Sequence, residues 1–207
     1  MARGRLITIE GLDGAGKSTL AESLRRELSQ RGVHAELLRE PGGVELSERI
    51  RELVRDPSLA VSPRAEALLY AAARAQLVAE RLAPLLEDGA VVLLDRFVDS
   101  SLAYQGAGRG LGVEQVRAVN LFATGLLEPD RTLLLRISPE AGRARQRERA
   151  LEPDRLERED EQFFAAIASA YDELAREEPA RVRVIDAGQP PEAVLHDALS
   201  AVEDLLP

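Results

Sequence analysis

The chain has 207 residues with a formal net charge of −9; 45% of its residues are hydrophobic and 3% are aromatic. This length fits one domain with room for a lid, and this apolar content can fill a mainly aliphatic core. The acidic balance argues against a broad nucleic-acid groove, which needs a basic face, but it allows a local basic pocket for a small anion. Because the chain has no cysteine, disulfides, thiolate metal sites and thiol nucleophiles are excluded.

Apolar runs in the chain are short. The first, Leu6–Ile9, is too short for a signal peptide or a membrane span, and no later run approaches about 20 residues. We therefore expect a soluble, cytoplasmic protein without a membrane partner. The two histidines, His34 and His196, lie far from any motif, and we expect structural or surface roles for them.

Strand-like and helix-like segments alternate along the chain. Ala90–Asp95 is a continuous apolar run, as expected of a strand buried on both faces. Leu20, Leu24 and Leu28 have helical spacing, and Gly32 ends that helix. The predicted order is strand 5–10, helix 17–31, strand 35–39, helices 45–55 and 63–87, strand 90–95, helix 113–125, strand 131–137, helices 139–150 and 157–178, strand 181–186 and helix 191–206.

This alternation predicts the fold class. Five strands separated by helices indicate an α/β protein with a parallel sheet covered on both faces. The sequence contains no internal repeat and no low-complexity linker that would divide it. Residues 1–207 are therefore expected to form a single domain.

A phosphate-binding motif follows the first predicted strand. GLDGAGKS matches G-x-x-x-x-G-K-[ST] and lies between a predicted strand and a predicted helix, the context in which this pattern binds a nucleoside triphosphate. Glycines let backbone N–H groups turn towards phosphate oxygens, and the helix N-terminus favours an anion. Ser18 supplies a hydroxyl for Mg²⁺. The predicted ATP-binding residues of the loop are Gly11, Leu12, Asp13, Gly14, Ala15, Gly16, Lys17, Ser18 and Thr19.

Lys17 is the only lysine, although 27 residues are lysine or arginine. A compact ammonium on a flexible stem can pass through a tight loop to the β- and γ-phosphates, whereas a broad planar guanidinium is poorly shaped for this. We infer that lysine stands here because its shape is required. A guanine-specific GTPase is disfavoured, since the only asparagine, Asn120, is followed by leucine and the motif N-K-x-D is absent.

Five stretches together resemble one family. They are EGLDGAGKST, REPGG (Arg39–Gly43), AEALLYAAARAQL (Ala65–Leu77), DRFVDSSLAYQGAGRG (Asp95–Gly110), and PDR followed by LE (Pro153–Glu157). On these motifs the chain resembles the thymidylate kinases from end to end. The resemblance implies a P-loop nucleoside monophosphate kinase fold, a three-layer sandwich with a short arginine-rich helical lid at about residues 139–157. It also implies transfer of the γ-phosphoryl group of ATP to dTMP, a homodimer, and no nucleic-acid polymer as partner.

Asp95 and Arg96 end a predicted buried strand, where open parallel sheets bind ligands. Asp95 is placed to hold Mg²⁺ or its water shell, and Arg96 to clamp the acceptor phosphate bidentately, although an internal ion pair is the alternative. Arg39, at the end of the second strand, is another candidate for that phosphate. By resemblance, Asp13 faces the sugar 3′-hydroxyl and the metal region; its alternative is an Asx-turn. Some thymidylate kinases carry arginine where this chain has Gly14, so we expect the lid to supply the stabilising cation.

The resemblance also implies a thymine pocket. Tyr70 and Arg74 are one helical turn apart and share a face. Tyr70 is expected to stack on the base and Arg74 to lie near a pyrimidine oxygen; the alternative is a core ring beside a snorkelling arginine. Ser101 and Gln105, at i and i+4, are expected to face the base edge or to lie just behind it. Tyr104 is expected to crowd the sugar 2′ position and so to select deoxyribose.

The predicted lid helix contains RARQRER, with Arg143, Arg145, Arg147 and Arg149. At about 100° per residue, Arg145 and Arg149 share one face, and Arg143 and Arg147 lie nearly opposite. Matched to the family, Arg149 is the arginine that meets the charge developing on the transferring group, with Arg145 beside it at the ATP site. Arg155 is a further candidate, and a solvated helix held by ion pairs is the alternative for the segment.

The predicted reaction is phosphoryl transfer, in which a protein mainly positions and neutralises. The catalytic groups are predicted to be Asp13, Lys17, Arg96 and Arg149, with no general base because the acceptor phosphate is already an anion. Two alternatives stay open from the sequence. One is another (deoxy)nucleoside or nucleoside monophosphate kinase, and the other is a P-loop ATPase with a regulatory role.

Overall fold

A computed structural model describes residues 3–148 and 154–206 of the chain. Strands and helices alternate along it, as the sequence predicts. The elements are β1 (Arg5–Gly11), α1 (Lys17–Gln30), β2 (Ala35–Arg39), α2 (Glu45–Arg55), α3 (Pro63–Leu77), α4 (Ala83–Glu87), β3 (Val91–Asp95), α5 (Val98–Ser101), α6 (Val113–Thr124), β4 (Arg131–Arg136), α7 (Pro139–Glu148), α8 (Glu161–Glu177), β5 (Val182–Asp186) and α9 (Pro191–Val202), with π-helical turns at Val78–Leu82 and Leu102–Gly108 and a 3₁₀ turn at Glu203–Leu205.

Within residues 3–148 and 154–206 the strands form one sheet of five. Their order is β2-β3-β1-β4-β5, and each neighbouring pair is parallel. β1 is central, with β3 on one side and β4 on the other, so a crevice opens beyond its carboxyl end where open parallel sheets bind ligands. The predicted α/β fold with a five-stranded parallel sheet is confirmed.

Buried aliphatic side chains cover both faces of the sheet. Successive residues of β1 point to opposite sides, and Leu6 and Ile7 accordingly belong to different clusters. Ile7 is in the same cluster as Leu24 of α1 and Ala198 of α9, whereas Leu6 is clustered with Leu77 at the end of α3. None of the helices described in 3–148 and 154–206 combines the length and apolar character needed to cross a membrane.

The element boundaries depart from the prediction where small or polar residues interrupt the periodicity. The stretch after β3, residues 98–108, was not predicted to be helical, yet it forms α5 and π-helical turns. The helix predicted from residue 157 begins at Glu161, because the side chain of Asp160 caps it by accepting the N–H of Phe163 at 2.9 Å. The predicted helix 63–87 is continuous in space but contains π-helical turns at Val78–Leu82.

Candidate active site

Glycines shape the loop between β1 and α1. Gly11, Gly14 and Gly16 have φ values of 133°, 83° and 94°, a region that favours glycine. Gly14 also approaches α7 so closely that a Cβ atom would lie 2.3 Å from the carbonyl oxygen of Gly142. Helix α7 therefore packs directly against the loop at Gly14 and leaves no room for a side chain there.

Lys17 is enclosed beneath this loop. Its Nζ donates to the carbonyl oxygens of Gly11 at 3.1 Å and Leu12 at 2.9 Å, and lies 3.8 Å from a carboxylate oxygen of Asp13. Burial, and then the charge of Arg96, lower the pKa of Lys17 to about 8, while nearby carboxylates act in the opposite direction. The Lys17 ammonium is therefore held against the loop that is predicted to bind phosphates.

The hydroxyl and the carboxylate predicted for the metal site lie together. Ser18 Oγ donates to Asp95 Oδ2 at 2.7 Å, and Asp95 is in register with Ile9 of β1, beside the loop. The described residues contain no group of three or more His, Cys, Asp or Glu side chains that could hold a metal. Mg²⁺ that arrives with a nucleotide needs only one or two protein ligands. The donor pair fits such an ion.

Arg96 projects into the cleft from a left-handed backbone with φ 70°, which is uncommon outside glycine. Its Nη2 lies 2.5 Å from Asp13 Oδ1 and 3.2 Å from the hydroxyl of Tyr104, and its Nη1 donates to Ser100 Oγ at 2.9 Å. The Tyr104 hydroxyl donates to Asp13 Oδ2 at 3.0 Å. Burial alone would raise the pKa of Asp13, but the charges of Arg96 and Lys17 outweigh it and hold the pKa well below its usual range.

Helix α3 forms another wall of the cleft. Tyr70 and Arg74, which are one helical turn apart, both line it. Arg74 is 2% exposed, and protein groups occupy each of its nitrogens. The partners are Glu40 Oε2 at 2.7 Å, Ser101 Oγ at 3.0 Å, Asn120 Oδ1 and the carbonyl oxygen of Phe97 at 2.8 Å. The guanidinium is therefore anchored in place, and its contact with a pyrimidine oxygen stays a prediction.

Ser101, Tyr104 and Gln105 reach the same cleft from α5 and the turns after it. Ser101 accepts from Arg74, and Gln105 Nε2 donates to Glu66 Oε1 at 2.9 Å. These buried contacts fix the side-chain orientations. The roles of these residues at the base and sugar stay predictions.

The cleft has a volume of about 280 Å³ and contains cations that the sequence analysis missed. These are Arg51 and Arg55, which line it from successive turns of α2. Arg39, which was predicted, lines it from the end of β2. Arg39 donates to both carboxylate oxygens of Glu48, at 2.9 and 3.1 Å. The i, i+4 spacing after REPGG could have identified the α2 pair. The charged lining residues are Lys17, Arg39, Arg51, Arg55, Arg74 and Arg96 with Asp13, Glu40, Asp95, Asp154 and Glu157.

Arg145 of α7 faces the other side of the phosphate loop. Its Nη2 donates to the carbonyl oxygen of Ala187, after β5, at 3.0 Å. With Gly14, Gly16 and Thr19 it borders a recess beside the loop. This position agrees with the predicted place of Arg145 near ATP, which stays a prediction.

Of the remaining lid arginines, two do not face the cleft and one lies outside the described residues. Arg143 Nη2 lies 3.3 Å from the carboxylate of Glu161, and its guanidinium lies 5.4 Å from the ring centre of Phe164. Arg147 is exposed. Arg149, the predicted catalytic lid arginine, lies outside the described residues 3–148 and 154–206.

Arg155, the further lid candidate, contacts residues of α2 and α3. Its Nη2 lies 2.7 Å from Glu66 Oε2, and its Nε donates to the carbonyl oxygen of Val54 at 3.0 Å. Glu66 is fully buried and also accepts from Arg109 at 3.0 Å. Through these contacts Arg155 anchors the C-terminal end of the predicted lid to α2 and α3.

A parallel sheet in the order 2-3-1-4-5, with a phosphate loop after its central strand and arginines facing that loop, defines a P-loop nucleoside monophosphate kinase. A family model described as thymidylate kinase matches residues 9–198. Together with the relatives described next, this match shows that the chain belongs to the thymidylate kinase family.

Individual relatives match over nearly their whole length. The chain is 45% identical over 205 residues to the thymidylate kinase of Bacillus licheniformis, covering 98% of this chain and 97% of that protein. It is 47% identical over 209 residues to that of Alkalilimnicola ehrlichii, covering 100% and 94%. A crystal structure of thymidylate kinase from Ehrlichia chaffeensis matches with a TM-score of 0.80 at 25% identity, covering 97% and 99%.

Proposed function

We propose that the protein transfers the γ-phosphoryl group of ATP to dTMP and releases ADP and dTDP, a step towards dTTP. The position of Arg96 carries this proposal. Its guanidinium contacts Asp13 of the phosphate loop and lines the same cleft as Tyr70 and Arg74, the predicted thymine pocket. A cation at this place can hold the phosphates of both nucleotides during transfer.

Product analysis tests the reaction. The purified protein is incubated with ATP, MgCl₂ and dTMP, and the products are identified by mass spectrometry. ADP and dTDP in equal amounts are expected, with little release of phosphate when dTMP is omitted. Preferential phosphorylation of a different nucleotide would indicate another nucleoside monophosphate kinase. ADP with free phosphate alone would indicate a P-loop ATPase.

The phosphate loop and Lys17 would bind the donor. Backbone N–H groups at the start of α1 favour the phosphate charge, and Lys17 reaches the β- and γ-phosphates. Mg²⁺ supplies neutralisation of phosphate charge when it is bound, and Ser18 and Asp95 would hold it. Arg145 and the recess beside it would face the adenosine part of ATP.

The acceptor phosphate would lie between Arg96 and Arg39. It is already an anion, so alignment and neutralisation suffice and no proton has to be removed. The Arg39 guanidinium forms an exposed ion pair with Glu48 beside the cleft. Because exposed ion pairs are weak, Arg39 can exchange this carboxylate for a phosphate. The lid, at about residues 139–157, would close over the site and exclude water, and Arg149 would then meet the developing charge.

Replacing Tyr104 by alanine is expected to admit ribonucleotide acceptors, because its ring is predicted to fill the space at the sugar 2′ position. The preference for dTMP over its ribose counterpart, measured as a ratio of kcat/KM values, should fall at least about tenfold. Tyr104→Phe is the matched control, since it keeps the ring and removes only the hydroxyl that donates to Asp13. An unchanged preference in Tyr104→Ala would remove this residue from sugar selection.

We further propose that the protein works as a homodimer in the cytoplasm. Helices α3 and α6 pack together and carry exposed apolar side chains, with Leu68 58% and Phe122 91% exposed. Exposed apolar side chains that gather into one patch mark an interaction surface, and these two lie on neighbouring helices. Sedimentation of Phe122→Asp is expected to give the mass of one chain, whereas the wild type and the control Leu59→Asp should give two. A dimeric Phe122→Asp protein, or a monomeric wild type, would contradict this arrangement.

A further inference from the structure

Glu10 is a buried carboxylate near the carboxyl end of β1. β1 reads RLITIEG, and Glu10 has no exposed surface. Burying a carboxylate costs free energy unless its oxygens are hydrogen-bonded or paired with a charge. The sequence analysis gave this residue no role. The structure places it directly behind the turn that presents Arg96 to the cleft.

Four donors meet the Glu10 carboxylate. Oε1 accepts the backbone N–H of Phe97 at 2.7 Å and that of Ser100 at 3.3 Å. Oε2 accepts the hydroxyls of Ser100 at 2.5 Å and Tyr171 at 3.0 Å. The carbonyl oxygen of the preceding residue, Ile9, accepts the backbone N–H of Arg96 at 3.0 Å. The end of β1 therefore accepts hydrogen bonds from the backbone of Arg96 and from that of the residues that follow it.

The Ser100 hydroxyl links the Glu10 carboxylate to the guanidinium of Arg96. A serine hydroxyl has one proton and two acceptor positions, so it can donate to Glu10 and accept from Arg96 Nη1, which lies 2.9 Å away. A guanidinium only donates, so Ser100 Oγ accepts from Arg96, and its single proton is left to donate to Glu10. The left-handed backbone of Arg96 persists only where its surroundings over-determine it, and Glu10 supplies part of that constraint.

The charges of Glu10 and Arg96 are also coupled. Burial and the charge of Asp99 raise the pKa of Glu10 to about 7, whereas the Ser100 hydroxyl, the charge of Arg96 and the Phe97 N–H act to lower it. Arg96 thus lies between carboxylates on two sides, Asp13 in the cleft and Glu10 behind it. The rear carboxylate does not line the cleft, so it remains in place whichever phosphates bind.

We propose that Glu10 is a positioning residue for phosphoryl transfer, which holds Arg96 through Ser100 and the Phe97 N–H in the orientation that aligns the acceptor phosphate. This inference rests on the proposed function, since it assigns Glu10 to the alignment of dTMP. Glu10 itself touches no substrate. Its effect on the reaction passes through Arg96, and the experiment is designed to detect that dependence.

The experiment is a double-mutant cycle on Glu10 and Arg96. Steady-state kcat and KM for dTMP are measured for Glu10→Gln, Arg96→Ala and the double variant. Glu10→Gln is expected to lower kcat by about 10²-fold, the cost of a small misplacement of a catalytic group. In the Arg96→Ala background the same change is expected to lower kcat by less than about threefold, because the positioned group is already gone.

Thr8→Val is the matched control, which measures the effect of removing a buried polar group from the same strand. Thr8 precedes Glu10 by two residues on the same strand, is fully buried, and pairs its hydroxyl with that of Thr132 at 2.8 Å. Its substitution is expected to change kcat by less than about threefold, with a decrease in Tm similar to that of Glu10→Gln. A comparable loss of Tm with an unequal loss of kcat separates positioning from general stability.

Three results would overturn the role of Glu10: wild-type kcat in Glu10→Gln, a kcat loss no larger than in Thr8→Val, or an equal fold-loss in both Arg96 backgrounds. If Glu10→Gln does not fold, Ser100→Ala carries the test, because it breaks the link to Arg96 and leaves the bonds from the Phe97 N–H and Tyr171. It is expected to lower kcat about tenfold, non-additively with Arg96→Ala. A wild-type protein that forms no dTDP refutes the proposed function instead.

Discussion

Replacing Lys17 by arginine is expected to lower kcat by at least about 10²-fold while leaving the fold intact. Lys17 is 7% exposed, and its Nζ is held within 3.1 Å of two loop carbonyl oxygens, so the space beneath the loop fits a single ammonium. A guanidinium is wider, planar and fixed in direction. It would either displace the loop or turn away from the β- and γ-phosphates.

The control for this exchange is Arg25→Lys, the reverse change on the exposed side of α1. Arg25 is 46% exposed and pairs only with Glu22 in the contacts described, so kcat should stay within about threefold of wild type. Initial rates of dTDP formation and circular dichroism spectra are recorded for both variants. If Lys17→Arg kept more than about a tenth of wild-type kcat, the shape requirement inferred for the only lysine would be wrong.

Strand positions could be predicted because aliphatic residues concentrate in short stretches between polar turns. Ala35–Arg39 was predicted with its observed bounds, and the apolar run at 90–95 begins as a strand one residue later, at Val91. The segment 98–108 was missed because VDSSLAYQGAG has small residues instead of a helical apolar repeat. Its helical turns are stabilised by packing against α6 and α8, which are distant in sequence.

The site could be predicted where a motif or a strand end carries the information. Lys17 and Arg96 followed from the phosphate loop and from the end of a buried strand, and both line the cleft. Partners from elsewhere in the chain could not be predicted. The guanidinium of Arg74 is occupied by Glu40 and Asn120, which lie 34 and 46 residues away, so spacing along α3 alone could not show how it is held.

Replacing Arg96 by alanine is expected to lower kcat by about 10³-fold, near the lower end of the range for arginines that stabilise phosphoryl transfer. Arg96 is predicted to bridge donor and acceptor, and in the described contacts it already links Asp13 with Ser100 and Tyr104. The loss should appear more in kcat than in KM for dTMP, because the contact strengthens as charge develops on the transferring group. Rapid-quench measurement of dTDP formation separates this step from product release.

Arg96→Gly separates the guanidinium from the backbone that presents it. Alanine at φ 70° keeps the strain of a left-handed residue, whereas glycine adopts this conformation without it. We therefore expect Arg96→Gly to match Arg96→Ala in its kcat and to unfold at the same or a higher Tm. If glycine restored more than about a tenth of wild-type kcat, the shape of the turn after β3 would matter for transfer and the Arg96 guanidinium would not.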